Sequence, residues 1–218
     1  MRIALIHALT HSIAPINDAF RHMWPEATRV NLLDDSLSAD LAANHGMLDE
    51  AMHQRFETLA DYAVNCGADA ILFTCSAFGA CIERVAHTHS HIPVLKPNEA
   101  MILEAVRAVS AAGQSIGLIA SFAPTLVSMP PEFPTASTLH TELVEDAMHA
   151  LNIGNTTAHD AVVVAAALRL KARGVGVIAL AQFSMARAAA AVATATGLPV
   201  LSTPSTAIRS LIQRLGVA

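Results

Sequence analysis

A chain of 218 residues that is 53% apolar but only 4% aromatic carries enough Ala, Val, Ile and Leu to fill one α/β domain or two lobes of about 100 residues each. Its net charge of −5, with 13 Lys and Arg scattered singly, provides no basic stripe to follow a phosphate backbone, so no nucleic-acid partner is expected. No apolar run reaches the ~18 residues of a membrane helix, the first strand begins at Arg2 with no room for a cleaved leader, and three cysteines without metal-type spacing point to free thiols in the cytoplasm.

Short aliphatic runs recur in chain order at residues 3–6, 29–33, 70–73, 93–95, 116–119, 137–140, 177–180 and 199–201, separated by helix-length segments. This alternation predicts βαβ units and an α/β fold with two small, mainly parallel sheets. Over residues 48–64, Leu48, Met52, Phe56, Leu59, Ala60 and Ala63 recur at three- and four-residue spacing, an amphipathic stripe stopped by Gly67. Residues 160–172 repeat the arrangement, with Lys171 and Arg173 at the negative end of the helix dipole and Gly174 as its stop. The proline-rich SMPPEFP (residues 128–134) fits neither helix nor central strand and is read as a loop over a cleft. Phe20, Met23 and Trp24 are equally compatible with a core and with a subunit interface.

The halves repeat. The segment that opens GADAILFTCSAFG at Gly67 matches the one that opens GVGVIALAQFSMA at Gly174, at a constant offset until His91 adds one residue, and IALIHA at Ile3 is echoed by IGLIAS at Ile116. Lobes of residues 1–107 and 108–218 are expected, with the option of a C-terminal helix crossing onto the first. Cys75 faces Gln182 across the repeat.

Ligands of parallel α/β sheets bind beyond the carboxyl ends of the strands, where helix-starting amides are unpaired. TCSAFG lies there, so Cys75 is the candidate nucleophile or proton carrier, made more acidic than a free thiol at ~8.5 by the amides of Ser76, Ala77 and Phe78, which could also receive an anion. A cysteine in such a position is otherwise a small core residue; the polar Gln182 at the matching strand end favours a shared cleft instead. Cys66 and Cys81 keep core or surface roles. Ser121 and Thr125 follow the IGLIA strand and serve either as hydrogen-bond donors to a carboxylate or as helix caps. His7 either faces the cleft or is a satisfied structural histidine. Asn98, in LKPNE, is a ligand candidate or part of a proline-started helix. His87, His89 and His91 lie before a strand, opposite the expected cleft, and read as a solvated loop rather than a metal site. No dinucleotide, phosphate-loop or zinc-hydrolase motif occurs. No metal and no cofactor are expected.

Taken in order, IALIH, NLLDDSL, GADAILFTCSAFG, IPVLKPNEA, IGLIAS, GVGVIALAQFSMA and TGLPVLSTP resemble the aspartate/glutamate racemase superfamily, which includes hydantoin racemases, maleate isomerases and arylmalonate decarboxylases. The resemblance spans the chain and implies two pseudo-symmetric Rossmann-like lobes with a cofactor-free active site between them. Racemases of this type use one thiol from each lobe; Cys75 matches the first, whereas Gln182, with Phe183 and Ser184 after it, stands where the second belongs. Gln cannot act as a general acid or base near neutral pH. The implied activity is a racemase-like isomerase acting on a small carboxylate through one cysteine, with a one-thiol decarboxylase, a thiol hydrolase or a catalytically silent small-acid binder as alternatives. A homodimer or higher homo-oligomer is the default for such enzymes, and the low aromatic content argues against a large aryl pocket.

Overall fold

The computed structural model describes residues 1–110 and 113–217. Strands β1 (Arg2–His7), β2 (Thr28–Leu33), β3 (Ala70–Phe73) and β4 (Val94–Leu95) form one sheet in the order β2-β1-β3-β4, and β5 (Ser115–Ala120), β6 (Leu139–Leu143), β7 (Val175–Leu180) and β8 (Val200–Ser202) form a second in the order β6-β5-β7-β8. Every pairing is parallel, and the two orders are identical, as the sequence repeat predicts.

Side chains of a strand alternate between faces, so each buried strand feeds two cores. In β1, Ala4 and Ile6 face α2 (Ser36–Ala43), α3 (Glu50–Asn65) and α4 (Gly79–Thr88), whereas Ile3 and Leu5 face α1 (Ile13–Met23). In the second sheet, Ile119 faces α7 (Glu145–Asn152) and α8 (Thr156–Ala172), together with Val192 of α9 (Ala189–Thr196). Phe20 and Trp24 are buried beside Ile3 and Leu5, which assigns them to the core rather than to an interface.

The remaining helices cross over. α5 (Glu99–Ser110) comes after the first sheet yet packs Met101, Ile102, Ala105 and Val109 on Ile116, Leu118, Val177 and Ala179 of the second. α10 (Thr203–Arg214) comes after the second sheet yet packs Ala207, Ile208 and Leu211 on Ile3, Leu5 and Leu72 of the first. Arg209 pairs with Glu104 at 2.8 Å and Arg214 with Glu99 at 2.7 Å where these helices meet, exposed contacts that contribute little beside the apolar burial.

Several boundaries differ from the sequence expectation. α3 begins at Glu50 because Asp49 accepts the Met52 amide at 2.8 Å, which leaves Leu48 outside the helix, and α8 begins at Thr156, ahead of the expected 160, because Asn155 accepts the Ala158 amide at 3.0 Å. β6 is an edge strand, partly exposed along its length, so its register with β5 sets its limits, not its hydropathy. Gly67 and Gly174 end α3 and α8 with φ of +77° and +81°, a left-handed turn that glycine adopts without strain.

The proline-rich segment is not a free loop. Ser128 ends α6 (Ala123–Ser128), Pro130–Glu132 makes a 3₁₀ turn, and Met129 and Phe133 are buried in the second lobe. Glu132 then reaches across to Lys96 of the first lobe at 3.2 Å. His89 is likewise buried, ending α4 3.1 Å from Asp61, rather than solvated. Among the described residues no three His, Cys, Asp or Glu side chains converge as a metal ion would require, and no helix is long and apolar enough to cross a membrane.

Phe183 belongs to the loop after β7, but its ring is buried among Ile3, Ile16 and Phe20 of the other lobe. Phe183→Ala is expected to cost about 3–5 kcal/mol, read as a lower urea midpoint with little change in slope. A loss under about 1 kcal/mol would contradict this cross-lobe packing.

Candidate functional site

Cys75 leaves β3 in extended conformation and starts the 3₁₀ turn Ser76–Phe78 that runs into α4. The turn is fixed from both lobes. Phe78 packs against Phe56 with ring centroids 4.9 Å apart, while the Ser76 hydroxyl donates to the Ala181 carbonyl at 3.3 Å and lies 3.5 Å from the Thr125 hydroxyl. Ser128 donates to the Ser76 carbonyl at 3.3 Å. The loops after β3, β5 and β7 are thus joined directly. Thr125 is fully buried in this contact, so its hydroxyl serves the lobe junction.

His7 is structural. Its Nε2 stands 3.0 Å from Asn31 Oδ1, an acceptor that also takes an Asn17 Nδ2 proton at 2.9 Å, so Nε2 is the donor and Nδ1 accepts from the Thr74 hydroxyl at 2.8 Å. Burial lowers the His7 pKa despite the bond to Asn31, keeping the ring neutral. It holds Thr74, the residue before Cys75.

The thiol departs from expectation. Burial pushes the Cys75 pKa up to about 11, outweighing the Ala77 amide and the Ser38 hydroxyl, which both favour the thiolate. A gap on one side of Cys75, lined by His7, Ala8, Leu37, Phe56 and Phe73, is too small to admit a water, while the residue keeps partial exposure elsewhere. Helix-start amides acidify a thiol only where its anion keeps some solvation. Cys75 is therefore a protonated acid near neutral pH. Ser38, whose one hydroxyl proton goes to the Ala8 carbonyl at 2.9 Å, escaped the sequence reading, although it lies after β2 at the same sheet edge as Cys75.

Across the repeat, Gln182 Oε1 accepts both the Ser121 amide at 2.6 Å and the Ser121 hydroxyl at 3.1 Å. Ser121 is thereby committed to Gln182, whose Nε2 is the end left to donate. Phe183 is in the core, and Ser184 is buried with no partner for its hydroxyl.

Two clefts lie between the lobes near this junction. One, of about 620 Å³, lies between the end of α2 and the β5–α6 loop, with Ala42, Ser121, Phe122, Val127 and Met148 in its walls. The other, of about 540 Å³, lies between the start of α1 and the loop after β7, with Thr10, His11, Ser184 and Arg187. His11 Nε2 meets Asn152 Oδ1 at 2.9 Å, joining a wall of one cleft to a wall of the other. Neither Cys75 nor Gln182 lines either cleft; the first cleft contains Ser121, which is bonded to Gln182, and Ala42, one helical turn beyond Ser38 on the same face of α2. Asn98 is buried with Nδ2 unpartnered and lines neither cleft.

No protein-family model and no curated protein sequence matches the chain. Solved structures do. A glutamate racemase from Bacillus anthracis superposes with a TM-score of 0.72 at 14% identity, covering 99% of this chain and 82% of that one. An allantoin racemase from Pseudomonas fluorescens gives 0.70 at 16% identity over 100% and 93%, and an aspartate racemase from Picrophilus torridus gives 0.69 at 13% identity over 99% and 94%. The chain has the two-lobe fold of the aspartate/glutamate racemase structures; at these identities the likeness is one of fold.

Alkylation by iodoacetamide, monitored cysteine by cysteine with mass spectrometry, should modify the exposed Cys66 first. The rate at Cys75 should keep climbing toward pH 11 instead of levelling near ~8.5 as for a free thiol. A plateau at neutral pH would mean an acidified thiol and contradict the effect of burial.

Proposed function

We propose that the chain is a cofactor-independent, racemase-like isomerase of a small carboxylate, with Cys75 as its acid/base group. The observation that carries this reading is a single thiol at the carboxyl end of β3, with the Ala77 amide and the Ser38 hydroxyl beside its sulfur, in a fold shared with aspartate, glutamate and allantoin racemases. Proton transfer next to a carboxylate passes through an enediolate, whose charge must be held by fixed donors. The Gln182 Nε2 amide, anchored through Oε1 to Ser121, is the donor best prepared for that task.

The raised Cys75 pKa favours a second reading as a one-thiol lyase. A protonated thiol is ready to give a proton. If a carboxylate leaves as carbon dioxide, the electron pair of the broken C–C bond passes into the enediolate, the Cys75 proton is delivered to its carbon, and the thiolate regains a proton from solvent. Gln182 offers no second acid on the opposite face.

Proton NMR in deuterium oxide with aspartate, glutamate, hydantoins, substituted malonates and maleate separates these readings. Exchange of the proton next to the carboxylate, or cis-to-trans conversion, is the isomerase outcome; loss of carbon dioxide is the lyase outcome. Cys75→Ala should lower either rate by about 10²–10⁴, and Gln182→Cys should add exchange from the second face. Turnover unchanged in Cys75→Ala would refute the proposal, and a raised Tm without chemistry would point to a binder.

A further inference from the structure

The two interlobe clefts share one pair of repeat-related walls, the loops after β1 and β5, and differ in chemistry. Ala123 and Pro124 in the first stand where the repeat has Thr10 and His11 in the second. The second cleft also holds Arg187, whose guanidinium is paired with Asp160 at 2.9 Å. The first has no Lys or Arg in its lining; its walls are Phe122, Pro124, Val127 and Met148, and its carboxylate is Glu145. A volume of about 620 Å³ suits a small molecule, with room well beyond the reacting carbon.

From this contrast we infer that the cleft beside Ser121 and Gln182 takes the substituent of a monocarboxylate, an uncharged apolar group, and rejects a second carboxylate. The inference rests on the proposed chemistry, because it treats Cys75 and Gln182 as the reacting end of this cleft. A second carboxylate entering these walls would lose its water, meet Glu145 and find no Lys or Arg. An isobutyl or phenyl group would gain by leaving water and would pack on Phe122, Val127 and Met148. The low aromatic content is no obstacle, since aliphatic walls and one ring suffice. Aspartate and glutamate, the substrates named for two of the matched structures, are then disfavoured here.

Calorimetric titration tests this with shape-matched pairs: 4-methylpentanoate against succinate, and leucine against aspartate, where an isopropyl group replaces a carboxylate of similar size. Titrations are run at pH 8.5, because His45 and His149 also line the cleft. The apolar member should bind at least about tenfold more tightly in each pair. Val127 is 76% exposed, so Val127→Arg should fold normally and shift the ratio toward the dicarboxylate by about tenfold or more. Equal or tighter dicarboxylate binding by the unmodified protein, no binding of either member, or an unchanged ratio in Val127→Arg would overturn the inference. Deuterium exchange in Cys75→Ala keeps the two claims apart. Exchange that needs Cys75 but prefers dicarboxylates leaves the proposed chemistry standing and defeats the cleft assignment. Apolar preference in binding with exchange indifferent to Cys75 does the reverse.

Discussion

Each sheet is closed by a helix that belongs to the other half. α5 covers the second sheet and α10 the first, so neither lobe buries its second face without its partner. Apolar burial at roughly 25 cal/mol per Å² dominates such contacts, and here it fixes the relative position of the lobes as well as the stability of each. The sheets are held with the loops after β3, β5 and β7 in contact. Ser76 can therefore reach Ala181 and Phe183 can enter the other core.

That rigid junction shapes the chemistry. A thiol packed among Leu37, Phe56 and Phe73 gains little from its polar neighbours, because desolvation of its anion outweighs them. On the opposite side the repeat supplies an amide, which hydrogen-bonds but does not titrate. The matched positions thus hold a thiol with a raised pKa and an anchored amide, the pair on which the proposed one-thiol chemistry rests. The clefts also differ: the second holds Arg187, whereas the first has no Lys or Arg in its lining.

Much of this was legible in the sequence. Strands buried on both faces appear as unbroken aliphatic runs, so β1, β3, β5 and β7 were readable, and the repeat drew attention to Cys75 and Gln182. What escaped depends on distant partners. The edge strand β6 takes its limits from β5, the ring of Phe183 is buried by the first lobe, and the thiol's shift comes from side chains on β1, α2, α3 and β3. Ser38 lies in a short helix whose role shows only when its hydroxyl is seen beside Ala8 and Cys75. Local sequence carried the expected acidification of Cys75 by nearby amides; tertiary burial reversed it.

The central claim is that one thiol, without a matching acid opposite, moves the proton. The stereochemical course of deuterium entry tests it most directly, using substrate or product formed in deuterium oxide and analysed by chiral separation and NMR. The account predicts deuterium delivered to the Cys75 face of the carbon, with that label lost in Cys75→Ala. Deuterium entry that is unchanged in Cys75→Ala would contradict it.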